Sequence, residues 1–238
     1  MWQKYINESV FMTQSQIPNP KSQIRAVAGL ILAGGKSSRM GLAKATLPFG
    51  PELMLQRVVR LLSSVVQPIV VVAAPAQQLP PLPCDVLIAR DEREARGPLE
   101  GLLAGLTAIA PHAEAAYATS CDVPLLVPAF VQVMIERLGD DDIAVPVEGQ
   151  FPHPLAAVYR TTVLPHIRDL LAADQLRPAF LFDRARTRHV PAEELRSVDA
   201  ELATLRNLNR PEDYLAALRE AGLTAEPAVL AALGKPGT

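Results

Sequence analysis

Ala26-Val27-Ala28-Gly29-Leu30-Ile31-Leu32 runs without a break into Ala33-Gly34-Gly35-Lys36-Ser37-Ser38-Arg39-Met40-Gly41-Leu42-Ala43-Lys44. The first seven residues are apolar or small at every position, as in a strand buried on both faces in the middle of a parallel sheet. The residues after Leu32 are of another kind. Ala33, Gly34 and Gly35 are small enough for a backbone to approach a ligand and expose its amide N–H groups, and Lys36, Arg39 and Lys44 bring positive charge. A buried strand ending in such a loop predicts a triphosphate site at the carboxyl edge of a sheet.

The same rhythm continues outward. Pro51 is placed to open a helix whose apolar positions Leu55, Val58, Val59, Leu62 and Val65 recur at three and four residues, and Ile69-Val70-Val71-Val72 then resumes the strand pattern. Val86–Ala89 and the segment ending Tyr117-Ala118-Thr119-Ser120 read as further strands, with helices over about 98–110 and 128–138. Beyond Gly139, Ile143–Val147 and Pro154–Tyr159 flank Glu148-Gly149-Gln150, which predicts two strands joined by a turn and an antiparallel addition in this half. The expectation is an α/β fold, Rossmann-like, in three α/β/α layers, with a mostly parallel sheet and a small antiparallel addition.

Two common phosphate loops are excluded. Gly35-Lys36-Ser37 could end a Walker A motif, but that motif needs glycine where Leu30 stands, and Gly29 lies inside the strand. The G-x-G-x-x-G pattern fails because no glycine stands two residues after Gly34 or Gly35. A plain tight turn would explain Gly34-Gly35 alone, but it leaves the rest of the loop unaccounted for. From Leu32 to Lys44 the segment resembles the Leu-Ala-Gly-Gly-x-Ser-x-Arg-Met-Gly-x-Asp-Lys signature of the molybdenum cofactor guanylyltransferases, departing only at Ala43, where that family usually has aspartate. Four further segments resemble the family in the same order: Gly97-Pro98-Leu99-Glu100-Gly101, Cys121-Asp122-Val123-Pro124, Pro154–Tyr159, and Asn207-Leu208-Asn209-Arg210-Pro211-Glu212-Asp213.

Asp122 follows a strand directly, where the ligand crevice of such a sheet lies, and phosphoryl chemistry with Mg²⁺ needs one or two carboxylates beside phosphate oxygens. A turn cap before Pro124 is the competing reading. The resemblance implies a nucleotidyltransferase fold and an enzyme that transfers GMP from GTP to the phosphate of the molybdenum-pterin cofactor, releasing pyrophosphate. It implies Arg39, Lys44 and Asp122 as catalytic residues, with Asp122 the Mg²⁺ ligand. It places the nucleotide on Leu32, Ala33, Gly34, Gly35, Lys44, Asp91 and Asp122, and the acceptor beside His153, Pro154, Arg177, Asn207 and Asn209. It implies that Ala73 and Ala74 leave guanine to be read mainly by backbone groups. Asp91 is also readable as part of a solvated charged loop, and Asn209 as a helix cap. A CTP-using or sugar-phosphate nucleotidyltransferase, and a non-catalytic nucleotide-binding module, remain as alternatives; turnover separates the last from an enzyme.

The chain of 238 residues is 49% apolar, enough for a sizeable core, and its formal charge of −2 gives no basic field for nucleic acid. Cys84 and Cys121 have no metal-ligand spacing and read as two buried, reduced thiols. Residues 1–25 read as a flexible extension without the apolar core of a signal peptide, 26–223 as one nucleotidyltransferase domain, and 224–238 as a C-terminal helix and loose tail. No stretch is long and apolar enough for a spanning helix, so the expected setting is cytoplasmic, with GTP, the molybdenum-pterin cofactor and proteins that deliver or receive it as partners.

Overall fold

The computed structural model describes residues 26–34, 43–91 and 96–233. Strand β1 (Val27–Leu32) is central, paired in parallel with β4 (Ile69–Ala73) on one side and β6 (Ala115–Ser120) on the other. β5 (Leu87–Arg90) closes the near edge beside β4. On the far side come β9 (Ala157–Arg160), β7 (Ile143–Glu148) and β10 (Thr187–Pro191), giving the order β10-β7-β9-β6-β1-β4-β5. β9 is antiparallel to both β6 and β7, while β10 is parallel to β7. The sheet is therefore mostly parallel with one reversed strand inside it, and β8 (Phe151–Pro152) adds a short hairpin to β7.

Helices cover both faces. α1 (Met54–Ser63) and α3 (Pro128–Leu138) pack on one face through Leu55, Val58, Leu62, Phe130 and Met134, against Ile31, Val71 and Tyr117. α2 (Pro98–Ile109) and α4 (Leu164–Ala172) cover the other through Leu102, Leu106, Ile167 and Leu170, against Leu30, Val72 and Tyr159. Side chains of alternate parity on β1 thus serve opposite layers, as the strand period requires. Gly105 of α2 lies so close to β1 that a Cβ there would meet Leu30 Cδ1 at 2.1 Å and Val72 Cγ2 at 3.0 Å. The helix seats on the sheet because that side chain is absent.

A third cluster lies outside the layers. The hairpin β2–β3 (Pro48–Phe49 and Glu52–Leu53) packs Phe49 with Leu47 and Met54 against Tyr214 and Leu218 of α7 (Pro211–Glu220) and Val229 of α8 (Pro227–Leu233). Tyr214 donates its hydroxyl to the Pro48 carbonyl at 2.5 Å. The short helices α5 (Ala179–Phe182) and α6 (Ala192–Leu195) complete the described chain.

Three expectations change. Pro51 does not open α1: Phe49 and Glu52 pair across Gly50, whose φ of +69° turns the chain, and the helix starts at Met54. Pro154–Ala156 is a short 3-10 turn, with the strand beginning only at Ala157, because Pro154 has no N–H to give a ladder and His153 already donates to the Pro146 carbonyl. Of the two cysteines, Cys121 is buried but Cys84 is exposed, since it sits in the loop before edge strand β5. No helix among the described residues is long and apolar enough to cross a membrane.

Overpacking at the α2 seat is directly testable. Gly105→Val is expected to lose about 3 kcal/mol of stability, read as a lower urea midpoint with an unchanged slope.

Candidate nucleotide and metal site

The register of the central strands places the site. Leu32 lies level with Val72 on β4 and with Ser120 on β6. The ladder continues one residue past each strand: Ala33 N–H donates to the Val72 carbonyl at 2.8 Å, Cys121 N–H to Leu32 at 3.0 Å, and Asp91 N–H to Ala73 at 3.0 Å. Loop residues are thereby fixed as firmly as strand residues. Over this edge opens a cavity of about 410 Å³ lined by Leu32, Ala33 and Gly34, by Lys44, by Asp91, and by Ser120, Asp122 and Asn207. Val72, Arg96, Gly97, Pro98, Gly101, Cys121 and Leu155 complete its wall.

Asp122 is 7% exposed and is held on both carboxylate oxygens. Lys44 Nζ donates to Oδ2 at 2.7 Å, and Asn207 Nδ2 donates to Oδ1 at 3.1 Å. Lys44 is also bonded to Asn209 Oδ1 at 2.9 Å. Residues 207–209 reach the site because Leu208 N–H donates to the Asp122 carbonyl at 3.0 Å, laying the segment along the strand end. Asn209 does not cap α7 through its side chain; Asp213 Oδ2 instead accepts the backbone N–H groups of Asn209 and Arg210. The asparagine side chains are left to Lys44 and Asp122.

At the other end of the cavity stands Asp91. Its Oδ2 lies 3.6 Å from where a Cβ on Gly34 would be, and its Oδ1 lies 3.6 Å from the corresponding point on Gly101. Among the described residues Oδ1 is buried without a hydrogen-bond partner. Burial, with the nearby Glu100 carboxylate, pushes the Asp91 carboxyl above its usual range. Beside it, Gln77 donates to the Ala33 carbonyl at 2.9 Å and accepts from Ala74 N–H at 3.1 Å. Arg90 fastens the same turn by donating to the carbonyls of Ala74 and Gln77. The Ala74 amide is thus already engaged within the protein. Burial pushes the Cys121 thiol up to about 12, leaving it a protonated packing group.

Of the residues expected at the site, Leu32, Ala33, Gly34, Lys44, Asp91, Asp122 and Asn207 line one cavity, and Asn209 touches it through Lys44. Gly35, Lys36 and Arg39 lie outside the described residues. His153 and Pro154 do not line the cavity; the neighbouring Leu155 does. His153 stands 3.5 Å from Glu148, and burial, only partly opposed by that carboxylate, holds its pKa below the usual histidine range. Arg177 is exposed ahead of α5 and is also absent from the wall. Asn207, expected beside the acceptor, bonds the Asp122 carboxylate and Ser120. Sequence reasoning missed Gln77, which reaches the Ala33 carbonyl from another segment, Arg96, which lines the cavity, and Ser120, whose hydroxyl donates to Asp122 two residues on.

Among the described residues no three His, Cys, Asp or Glu side chains gather as a metal cage. The donor set, one fixed carboxylate beside a phosphate-sized space, suits a hard cation that takes its remaining ligands from phosphate and water.

The family model described as the MobA-like NTP transferase domain matches residues 29–189. A protein of Mycobacterium ulcerans (strain Agy99) named "Probable molybdenum cofactor guanylyltransferase" is 35% identical over 207 residues, covering 84% of this chain and 96% of that protein. One of the same name from Mycobacterium tuberculosis (strain ATCC 25618 / H37Rv) is 36% identical over 188 residues, covering 77% and 89%. Among solved structures, molybdopterin-guanine dinucleotide biosynthesis protein A of Archaeoglobus fulgidus superposes with a TM-score of 0.68 at 19% identity, covering 82% of this chain and 98% of that one. A 4-diphosphocytidyl-2C-methyl-D-erythritol synthase of Anaerococcus prevotii superposes at 0.61 with 12% identity, covering 83% and 96%. The fold is shared across differently named enzymes, so residues and not architecture must decide the substrate.

The raised Asp91 carboxyl has a signed consequence. A folded pKa above the ordinary 3.8 means its contribution to stability is fully present below that value and lost as pH rises through the folded pKa. Asp91→Asn should therefore melt about 2 °C higher than the parent near pH 7.5, with the difference closing as the pH falls toward 4, measured by calorimetry.

Proposed function

The chain belongs to the MobA-like NTP transferase family, and from that footing we propose that it is a molybdenum cofactor guanylyltransferase, moving GMP from GTP to the phosphate of a molybdenum-pterin cofactor. The observation that carries the choice of base is the buried Asp91 Oδ1, without a hydrogen-bond partner among the described residues, at one end of a cavity whose other end holds Lys44 and Asp122. A buried carboxylate oxygen with no donor among the described residues calls for one from the ligand. Guanine offers two adjacent donors, N1–H and the N2 amino group, matching two carboxylate oxygens, and adenine offers no such pair. Gly34 and Gly101 leave the space beside both oxygens clear.

From Asp91 the nucleotide would extend along Ala33-Gly34 toward Lys44. Lys44, held in place by Asn209 and Asp122, would neutralise charge on the leaving pyrophosphate. Arg39 is assigned the same task. Asp122 would hold Mg²⁺, which supplies charge neutralisation across the phosphate oxygens. An oxygen of the acceptor phosphate attacks the α-phosphorus in line; the new bond forms as the bond from the α-phosphorus to the bridging β-phosphate oxygen breaks, and pyrophosphate departs. No protein nucleophile is needed, so the chain acts by positioning and by charge. Leu155 and the Gly97-Pro98 rim offer the acceptor an apolar wall, with His153, Pro154 and Arg177 beyond the cavity edge as outer contacts.

The protein incubated with GTP, Mg²⁺ and the molybdenum-pterin cofactor is expected to release pyrophosphate and form the guanine dinucleotide, with GTP preferred over CTP and ATP. Asp122→Ala should lower turnover by about 10²–10³-fold while its circular dichroism stays that of the parent. GTP binding without pyrophosphate release, or preference for CTP, would sink the assignment.

A further inference from the structure

The two oxygens of Asp122 are treated differently. Oδ1 accepts the Ser120 hydroxyl and the Asn207 amide, the latter at 3.1 Å, whereas Oδ2 accepts Lys44 at 2.7 Å. Asn207 Nδ2 also lies 3.3 Å from Ser120 Oγ, so the hydroxyl takes a hydrogen bond from Asn207 while giving its own to Asp122. Ser120 is the last residue of β6 and 7% exposed, and its backbone is locked level with Leu32. Neither partner of Oδ1 can drift without breaking a second bond.

A carboxylate oxygen has two lone pairs. Two donors fill Oδ1, while Oδ2, with Lys44 as its donor among the described residues, keeps a second lone pair. We propose that Ser120 is a positioning residue that, with Asn207, closes Oδ1 and commits Asp122 to a divalent cation through Oδ2 alone. The proposal rests on the reading of Asp122 as the metal carboxylate.

This one-oxygen commitment discriminates between cations. Mg²⁺ and cations near its size take carboxylates through one oxygen in a strict octahedron at about 2.0–2.1 Å, whereas Ca²⁺ is larger and readily takes both oxygens at about 2.3–2.6 Å. Closing Oδ1 therefore costs Mg²⁺ little and denies Ca²⁺ its second contact. Ser120 acts on the metal through Asp122, so its loss should alter which cation binds more than whether GTP binds.

The test is Mn²⁺ binding to the GTP complex, followed by the electron paramagnetic resonance of free Mn²⁺, with Mg²⁺ and Ca²⁺ as competitors. Ser120→Ala is expected to shift the Ca²⁺:Mg²⁺ competition ratio toward Ca²⁺ by about tenfold, and Ser120→Thr, which keeps the hydroxyl, to restore the parent ratio. Asn207→Ala, at an exposed position, should move the ratio the same way and keeps the test open if Ser120→Ala does not fold. A parent-like ratio in the alanine variants overturns the role of Ser120. Parent-like Mn²⁺ affinity in Asp122→Asn would instead overturn the underlying reading of Asp122, so the two failures are distinguishable.

Discussion

The parallel register of β1 against its neighbours is the constraint on which the rest of the site depends. With Leu32 level with Val72 and Ser120, the ends of three strands reach one edge together, and backbone hydrogen bonds carry the ladder on into Ala33, Asp91 and Cys121. A shift of one residue would turn Ile31 and Leu30 to the wrong helical layers, so burial on both faces holds the register in place. Gly105 lets α2 approach β1, and α2 in turn brings Gly97, Pro98 and Gly101 to the cavity. Core packing thus sets the geometry of a polar site that contributes little to that packing itself.

The polar end of the site is assembled from distant parts of the chain. Lys44 follows the glycine-rich loop, Asp122 ends the β6 segment, and Asn207 and Asn209 precede α7. What brings the last pair in is apolar: Phe49, Leu47 and Met54 pack with Tyr214 and Leu218, and Arg57 covers the Phe49 ring at 4.9 Å. A close ion pair such as Lys44 with Asp122 is weak evidence for stability, because desolvation offsets much of the attraction. Under the proposed function its use lies elsewhere: each partner would be held where a phosphate or a cation can replace the other. Asp91 shows a similar tension, with Oδ1 buried without a partner among the described residues.

Much of this was legible in the residues. The strand at 27–32 shows as an unbroken apolar run, and α2 and α3 show as prolines at the first helical position followed by apolar spacing. Asp91 and Asp122 are findable because they follow strand ends, and Lys44 because it closes the glycine-rich loop. That β9 runs against β7 shows in the turn Glu148-Gly149-Gln150 between them, but its insertion beside β6 has no local mark, since Tyr117 pairs with Val158 41 residues away and Ala118 with Ala157 39 residues away. The hairpin at Pro48–Leu53 is only two residues deep on each side, too short for an alternating pattern, and Pro51 there looks like a helix start. Gln77 and Ser120 are ordinary polar residues; Gln77 takes its meaning from the Ala33 carbonyl, and Ser120 from Asn207, each supplied by another segment. Ala43, the one departure from the family signature, makes no side-chain bond; its carbonyl accepts Thr46 Oγ1 at 3.1 Å.

The central claim is that the Lys44–Asp122 pair marks where triphosphate and cation meet. Crystals of the protein with GTP and Mn²⁺, with the metal located by its anomalous scattering, address it directly. The account predicts a Mn²⁺ peak on Asp122 Oδ2, Lys44 turned to the phosphates, and the guanine edge on Asp91. Mn²⁺ bound away from Asp122, with Lys44 still paired to that carboxylate while GTP fills the cavity, would contradict it.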